Sequence, residues 1–221
     1  MNVTNFTTYV KQTYKRTDKD TELLQCLNDS IMQVAIKMPH GAYKYQSYVL
    51  TVQGQEDYAL PSTIMHFMHP MRILDGSSTT DSGRQLEHIS KKDFDAIQPN
   101  PNRTSPDTGS PSAYTIYSGS ILLTSIPDCS TDILEINWTK RPTTLSAGTD
   151  TPSLGSEWDE VLKQMTLSRL YALIELFQEA AYWRSMYEDA EGRPVGLYRD
   201  LLEIEKDKES TRINIIQANE L

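Results

Sequence analysis

Residues 149–162 have the sequence Thr-Asp-Thr-Pro-Ser-Leu-Gly-Ser-Glu-Trp-Asp-Glu-Val-Leu, and they separate a strand-rich region from the longest predicted helix. Pro152 disfavours helix in the residues before it. Ser156 is a residue type favoured at a helix N-cap, and the carboxylates of the next turn meet the positive end of the helix dipole. Because a helical segment also precedes the strands, the predicted order is helix, strands and helix again.

Helical segments are predicted on both sides of the strands. Residues 20–37 carry apolar side chains at three- and four-residue spacing, which is typical of an amphipathic helix. The longest helix is apolar around much of its girth, so it is expected to need partners on two sides. The other predicted helices cover residues 4–15 with Thr4 as the cap, residues 157–190 and residues 195–208.

The hydrophobic period changes to two at about Tyr45. Tyr48, Leu50 and Val52 alternate with polar residues, and the polar stretch after them predicts a hairpin turn into a strand at 58–60. Ser90 begins a pattern that resembles a capping box, and four prolines within residues 98–112 predict an irregular loop. Further strands are predicted over residues 64–74, 85–89, 113–117, 120–125 and 132–139.

The sequence predicts an α+β fold. In it, the N- and C-terminal helices form a helical bundle, and an inserted antiparallel β domain forms a small sandwich or barrel. The last residues alternate apolar and polar side chains and have no partner strand nearby in sequence, so this tail is expected either to be frayed or to dock onto another chain. The predicted divisions are residues 1–44 for the N-terminal helical segment, 45–142 for the β domain, 143–208 for the linker and C-terminal helices, and 209–221 for a docking tail.

The chain has 221 residues, a formal net charge of −9 and 38% hydrophobic residues. This acidity argues against a free-standing domain that grips DNA, for which a basic face is typical. No apolar run approaches the ~20 residues that cross a bilayer, so no membrane partner is expected. Cys26 and Cys129 are interpreted as reduced thiols. A local basic cluster is formed by Lys11, Lys15, Arg16 and Lys19.

Three patterns resemble catalytic or metal sites, and each has a simpler structural explanation. His66 and His69 have metal-ligand spacing, but no second pair of ligands stands beside them. The carboxylates of residues 157–160 suggest glycoside hydrolysis, yet acids in a first helical turn ordinarily stabilise the dipole. Asp128 and Cys129 suggest a thiol nucleophile, but no histidine stands at a spacing that would activate it, so they are interpreted as a turn residue and a small apolar side chain. No Walker loop or dinucleotide fingerprint is present, so no cofactor is expected.

Turn and strand-edge motifs follow one another in a characteristic order. They are Leu27-Asn-Asp-Ser-Ile31, Val52-Gln-Gly-Gln-Glu-Asp-Tyr-Ala-Leu-Pro61, Leu86-Glu-His-Ile-Ser-Lys-Lys-Asp-Phe-Asp95 and Gly109-Ser-Pro-Ser-Ala-Tyr-Thr-Ile116, then the strands up to Pro142, Leu145-Ser146, Asp150-Thr-Pro152 and Trp158 with its long helix. This order resembles the head-to-tail adaptor (connector, or head-completion) proteins of tailed bacteriophages. The resemblance covers roughly residues 20–205.

The resemblance implies a structural protein of the virion rather than an enzyme. Such a protein is expected to form a homo-oligomeric ring, a dodecamer, beneath the portal protein in the neck between capsid and tail. It would be assembled in the host cytoplasm and would contact tail or nozzle proteins. Double-stranded DNA would pass through its lumen without specific binding.

Three sets of residues are assigned to this function. The tail is expected to dock onto the portal through Ile213, Ile215, Ile216 and Leu221. Subunits are expected to pack through Trp158, Leu162, Leu176, Phe177 and Trp183. The lumen is expected to be lined by acids, which repel DNA phosphates, drawn from Glu157, Asp159, Glu160, Glu175 and Glu179.

Two alternatives stay open at this stage. The first is another structural component of the neck or tail, such as a stopper or a tail terminator. The second, less favoured, is a peptidoglycan glycosidase carried in the virion, in which the carboxylates of residues 157–160 would act as the catalytic acids.

Overall fold

The computed structural model of the chain describes residues 1–16, 18–38, 43–76, 83–97 and 108–206. The chain divides into two compact units. The helical unit comprises Met1–Tyr43 and Arg141–Leu221, and the sheet unit comprises Lys44–Lys140. The α+β class predicted from the sequence is confirmed.

Six helices are present in the described residues, and all but α3 belong to the helical unit. A 3₁₀ turn at Ser156–Trp158 precedes the fourth of them. The helices are α1 (Val3–Tyr14), α2 (Asp20–Lys37), α3 (Lys91–Ile97), α4 (Asp159–Leu173), α5 (Phe177–Ser185) and α6 (196–206).

Helix α1 begins one residue earlier than the sequence pattern predicts. The side chain of Asn2 accepts the backbone N–H of Asn5 at 2.9 Å and so caps the helix. The hydroxyl of Thr4 instead donates to the carbonyl of Gly148 at 3.0 Å. The assignment of Thr4 as the cap is therefore wrong, because its side chain anchors a distant loop.

The single helix predicted over residues 157–190 is also wrong. Helix α4 ends at Leu173, and α5 begins at Phe177 after a turn in which Glu175 has a left-handed φ of 62°. Helix α5 then packs against α4, where the buried hydroxyl of Ser168 donates to the carbonyl of Ala180 at 3.0 Å. Helix α4 also contacts α1 and α2. Its wide apolar surface is therefore covered largely by other helices of the same chain. The geometry of a helical bundle stays a prediction.

The loop at residues 146–150 holds the start of α1 in the helical unit. The Asp150 carboxylate accepts the backbone N–H groups of Ala147 at 2.8 Å and Ser146 at 2.7 Å. The backbone carbonyl of Asp150 accepts the N–H of Val3 at 2.9 Å. These contacts tie the N-terminal helix to the chain that returns from the sheet unit.

Protonation of Asp150 is expected to loosen this anchor. The backbone N–H groups of Ala147 and Ser146 lower the pKa of Asp150 below its ordinary value. A carboxylate with a lowered folded-state pKa stabilises the fold above its unfolded pKa of about 4, and that contribution is lost as the pH falls through the folded value. Thermal melting should therefore show a larger loss of melting temperature, between about pH 6 and about pH 3, in the natural protein than in Asp150→Asn. Equal losses in the two proteins would contradict the prediction.

The sheet unit is built on one seven-stranded sheet among the described residues, in the order β1-β7-β3-β4-β5-β6-β2. All neighbouring strands are antiparallel except β4 and β5, which are parallel. The strands are β1 (Lys44–Leu50), β2 (Asp57–Ala59), β3 (Ile64–Leu74), β4 (Arg84–His88), β5 (Ala113–Tyr117), β6 (Ser120–Leu123) and β7 (Ile133–Lys140).

Two predictions about strand pairing are wrong. The β domain is not purely antiparallel, because β4 and β5 pair in parallel, with α3 between them in the chain. The hairpin predicted around residues 53–57 does not form, because β1 pairs with β7 and β2 pairs with β6. The N-cap bond of the predicted capping box is present: the hydroxyl oxygen of Ser90 accepts the N–H of Asp93 at 3.1 Å, and the Asp93 carboxylate accepts from the same hydroxyl at 2.6 Å.

The sheet must curl, because a short connection joins its two edges. Strands β1 and β2 lie at opposite ends of the strand order. Six strand spacings of about 4.8 Å would separate them by about 29 Å in a flat sheet. The chain from Leu50 to Asp57 spans at most about 25 Å, and it contains a turn at Gly54.

The sheet therefore wraps around its own core. The predicted sandwich or barrel is in fact one curled sheet, and its core contains residues from every strand except β1, whose Val49 packs against it. The core residues are Tyr58, Met71, Ile73, Leu86, Tyr114, Ile121, Leu123, Leu134, Ile136 and Trp138.

Candidate functional site

The turn between α4 and α5 places a group of large apolar side chains at the surface of the helical unit. Leu173 is 61% exposed, Leu176 43%, Phe177 67% and Tyr182 59%. These four residues are called the α4–α5 surface below. Exposed apolar residues that cluster in this way mark interaction sites more often than isolated ones do.

The residues predicted to pack subunits together divide into two groups. Trp158 and Leu162 are 1% and 0% exposed and belong to the core of their own chain. Leu176 and Phe177 lie on the α4–α5 surface, and half-buried Trp183 makes an edge-to-face contact with Tyr182 at 5.6 Å. Only the second group is available to a partner.

Two of the predicted channel acids are engaged within the chain. Asp159 is half-buried and lies 3.5 Å from the N-terminal ammonium group of Met1. Glu160 accepts a short hydrogen bond from the hydroxyl of Tyr9, and this bond, with partial burial, raises the pKa of Tyr9 to about 12. These carboxylates hold α1 against the start of α4, and so they serve the fold of the helical unit.

The other three predicted acids are exposed. Glu157 lies in the 3₁₀ turn, Glu175 occupies the left-handed position between α4 and α5, and Glu179 lies in the first turn of α5. Glu175 and Glu179 therefore carry negative charge beside the α4–α5 surface.

A polar network that sequence patterns did not reveal joins α2 to α4 and to the chain after α5. The side chain of Gln33 accepts from Arg169 at 2.7 Å and donates to Glu188 at 2.6 Å. Glu188 is buried and is also paired with Arg184 at 3.3 Å. The network therefore links α2, α4 and the residues after α5 within the helical unit. Gln33, Arg169 and Glu188 lie far apart in the chain, so no local spacing brings these three together.

The sheet unit exposes a second apolar surface along β1. Tyr48 is 60% exposed, Leu50 61% and Val52 48%, and the side chain of Gln46 precedes them on the same face. These four residues are called the β1 edge below. The sequence predicted the strand, but alternation alone does not show which face of a strand lies outward.

The backbone of the β1 edge also faces away from the sheet. The N–H of Thr51 donates to the carbonyl of Asp132 at 2.8 Å, so the odd-numbered residues direct their backbone groups toward β7. The N–H and C=O groups of Gln46, Tyr48 and Leu50 therefore point outward. Among the described residues, no strand pairs with that side of β1.

Histidines meet elsewhere in the sheet unit, but not in the predicted combination. The His69 ring lies 4.2 Å from that of His88, and its Nδ1 is 2.5 Å from the hydroxyl of Tyr114. Partial burial and the neighbouring His88 lower the pKa of His69. His66 is exposed and is not part of this cluster. Within the described parts of the chain, no three His, Cys, Asp or Glu residues are placed to hold a metal ion.

Both cysteines are free. Cys26 is buried in α2, and burial raises the pKa of its thiol to about 11. Cys129 is half-buried in the connection before β7. The predicted docking residues Ile213, Ile215, Ile216 and Leu221 lie outside the described residues. Over the part of the chain that the structure covers, every helix is too short or too polar to span a bilayer.

Comparison with known proteins identifies one family. Residues 1–200 match the model of the family described as SU10 adaptor protein. No curated protein matches the chain. The match includes both units and stops before the apolar residues of the C-terminal segment.

Proposed function

We propose a function from one premise, that the chain belongs to the SU10 adaptor protein family. We infer that it is a phage adaptor, located in the neck of the virion, where it joins the portal protein to tail or nozzle proteins. The family match over residues 1–200 is the observation that carries this proposal. The role is structural, and turnover of a substrate has no part in it.

The proposed assembly is a homo-oligomeric ring, a dodecamer, beneath the portal. Rings are built from heterologous contacts, in which one surface of a subunit meets a different surface of the next. Exposed Leu176 and Phe177, together with half-buried Trp183 further along α5, supply one such surface. Burying them between subunits would remove exposed apolar side chains of the helical unit from water.

The proposed lumen lets double-stranded DNA pass without binding it. The net charge of −9 on each chain gives the ring a strongly negative potential, which repels phosphates. Among the predicted acids, Glu157, Glu175 and Glu179 are exposed and are proposed to line the passage. Asp159 and Glu160 are left out, because they are engaged with Met1 and Tyr9.

The C-terminal tail is proposed to attach the ring to the portal. Its sequence, from Thr211 to Leu221, combines Ile213, Ile215 and Ile216 with polar residues, of which only Arg212 and Glu220 are charged. Such a segment can dock in an apolar groove or add a strand to an exposed sheet edge.

Substitution at the α4–α5 surface tests the ring. Phe177→Asp is expected to prevent the chain from assembling with portal rings, because a carboxylate would be buried at the contact without a partner. Electron microscopy and sedimentation of mixtures with portal protein would show the loss of ring-sized particles. The matched control is Gln178→Asp, an exposed neighbour on the same helix, which should assemble normally. Normal rings from Phe177→Asp would refute this contact.

A further inference from the structure

We propose that the β1 edge of the sheet unit receives residues 213–221 of a second copy as an added antiparallel strand. This inference rests on the proposed function, in which the same segment docks onto the portal. It concerns where that segment lies before the portal is met.

The receiving strand has the features that invite strand addition. Its outward backbone groups at Gln46, Tyr48 and Leu50 have no partner strand among the described residues. Its outward side chains are large and more than two-fifths exposed at Tyr48, Leu50 and Val52. The edge contains no proline and no charged residue between 45 and 52. Native proteins rarely leave so long and apolar an edge uncovered.

The C-terminal sequence has the composition of a strand that fits this edge. Residues 213–221 are Ile-Asn-Ile-Ile-Gln-Ala-Asn-Glu-Leu, with three β-branched residues and neither glycine nor proline. These nine residues are enough to pair along all seven residues of β1. Fifteen residues follow residue 206 in the sequence, and a chain of that length extends by up to about 50 Å.

One antiparallel register sets apolar beside apolar or polar beside polar residues at five positions, while Gln217 meets Tyr48 and Leu221 meets Lys44. It sets Ile213 beside Val52, Ile215 beside Leu50 and Ile216 beside Val49. In the same register Asn214 meets Thr51 and Asn219 meets Gln46. A slip of one residue in either direction sets Asn214 beside Leu50 or Val52. Because cross-strand pairs stabilise a sheet, the sequence specifies this register over its neighbours.

Charge selects the antiparallel direction. Glu220 would lie beside Tyr45, between Lys44 and the Lys140 ammonium group that sits 5.2 Å from the Tyr45 ring. Arg212 would lie at the other end of the edge, beside Gln53 and away from these two lysines. A parallel strand would bring Arg212 to the two lysines instead.

A strand passed to a second copy also suits a ring. It joins two different surfaces of the same chain, which is the heterologous contact that cyclic assemblies use. It would cover both the edge and the apolar segment, and so it would protect copies that have not reached the portal from unspecific pairing.

Single-cysteine variants test the contact in the full-length protein. Leu50→Cys in an affinity-tagged copy is mixed with Ile215→Cys in an untagged copy, both with Cys129→Ser. Cys26 is retained, because burial keeps its thiol protonated. Directly opposed strand residues have Cα separations within the range of a disulfide, so oxidation should yield the mixed dimer.

The control replaces Ile215→Cys with Asn219→Cys. Its cysteine would lie about 14 Å further along the strand and should give several-fold less mixed dimer. Equal yields from the two pairs, or no mixed dimer, would overturn the proposal. A third variant carries Leu50→Cys and Ile215→Cys in the same chain. If only this variant forms a disulfide, and forms it within one chain, the contact with a second copy is overturned.

Cross-linking in the presence of portal protein distinguishes this inference from the proposed function. Portal protein added before oxidation should lower the yield of mixed dimer, because it competes for the same segment. If the yield of mixed dimer is the same with and without portal protein, the portal and the β1 edge do not compete for residues 213–221. The two proposals can also fail separately. If deletion of the tail abolishes attachment to the portal but the cysteine pair in the full-length protein gives no cross-link, the proposed docking on the portal stands and only the strand contact is overturned.

Discussion

A chain that lacks residues 211–221 is expected to stay folded and to lose its attachment to the portal. The buried residues in the described part of the helical unit lie between Val3 and Leu202, so the deletion removes none of that core. The three isoleucines of the tail each contribute about 1.5–3 kcal/mol when buried. Their combined loss should weaken binding to portal rings by at least about a hundredfold.

Co-sedimentation with portal rings measures the attachment, and thermal melting measures the fold. Substitutions in the full-length chain distinguish the loss of apolar contacts from the loss of chain length. Replacing Ile213, Ile215 and Ile216 with serine should weaken attachment as much as the deletion does, whereas Gln217→Ser with Asn219→Ser should leave it nearly unchanged. Undiminished attachment after the deletion would show that the portal is held by another surface.

Local elements of the fold could be predicted because their signals are local. Apolar spacing in α2 predicted the helix over 20–37, the bounds that the structure has. Strands β3 and β5 likewise match their predicted bounds of 64–74 and 113–117. The capping pair Ser90 and Asp93 lies three residues apart, within reach of sequence reasoning.

Pairing and direction changes could not be predicted from the same signals. Strand β1 pairs with β7, some ninety residues later, and no local pattern records this partner. The α4–α5 turn contains neither glycine nor proline, the usual helix breakers. It forms because α5 packs back onto α4, and tertiary packing overrides the helical preference of residues 174–176.

The candidate surfaces depended on that unpredicted turn. A continuous helix would have set Trp158, Leu162 and Phe177 on one rod as equivalent contact residues. The turn instead leaves Phe177 at the surface, while Trp158 and Leu162 are buried in the core. The β1 edge was missed for a related reason, since an alternating strand has two faces and only the fold decides which one is covered.

Loss of Trp158 is expected to cost the helical unit much of its stability rather than to impair a contact between subunits. The side chain is 1% exposed and meets the ring of Tyr198 on α6 edge-to-face at 6.2 Å. Truncation of a buried aromatic residue costs about 3–5 kcal/mol. The total stability of a domain is about 5–15 kcal/mol, so Trp158→Ala should unfold at a much lower urea concentration.

Urea unfolding followed by far-ultraviolet circular dichroism measures this effect, because the helices dominate the signal. Trp183→Ala is the matched control: its side chain is only half-buried, and a loss of about 1 kcal/mol is expected. A subunit-contact role for Trp158 makes the opposite prediction, with unchanged unfolding of the free chain and weakened assembly. A side chain buried in its own subunit cannot contact a neighbouring subunit. Equal stability of Trp158→Ala and the natural protein would therefore show that Trp158 is not part of the core between α4 and α6.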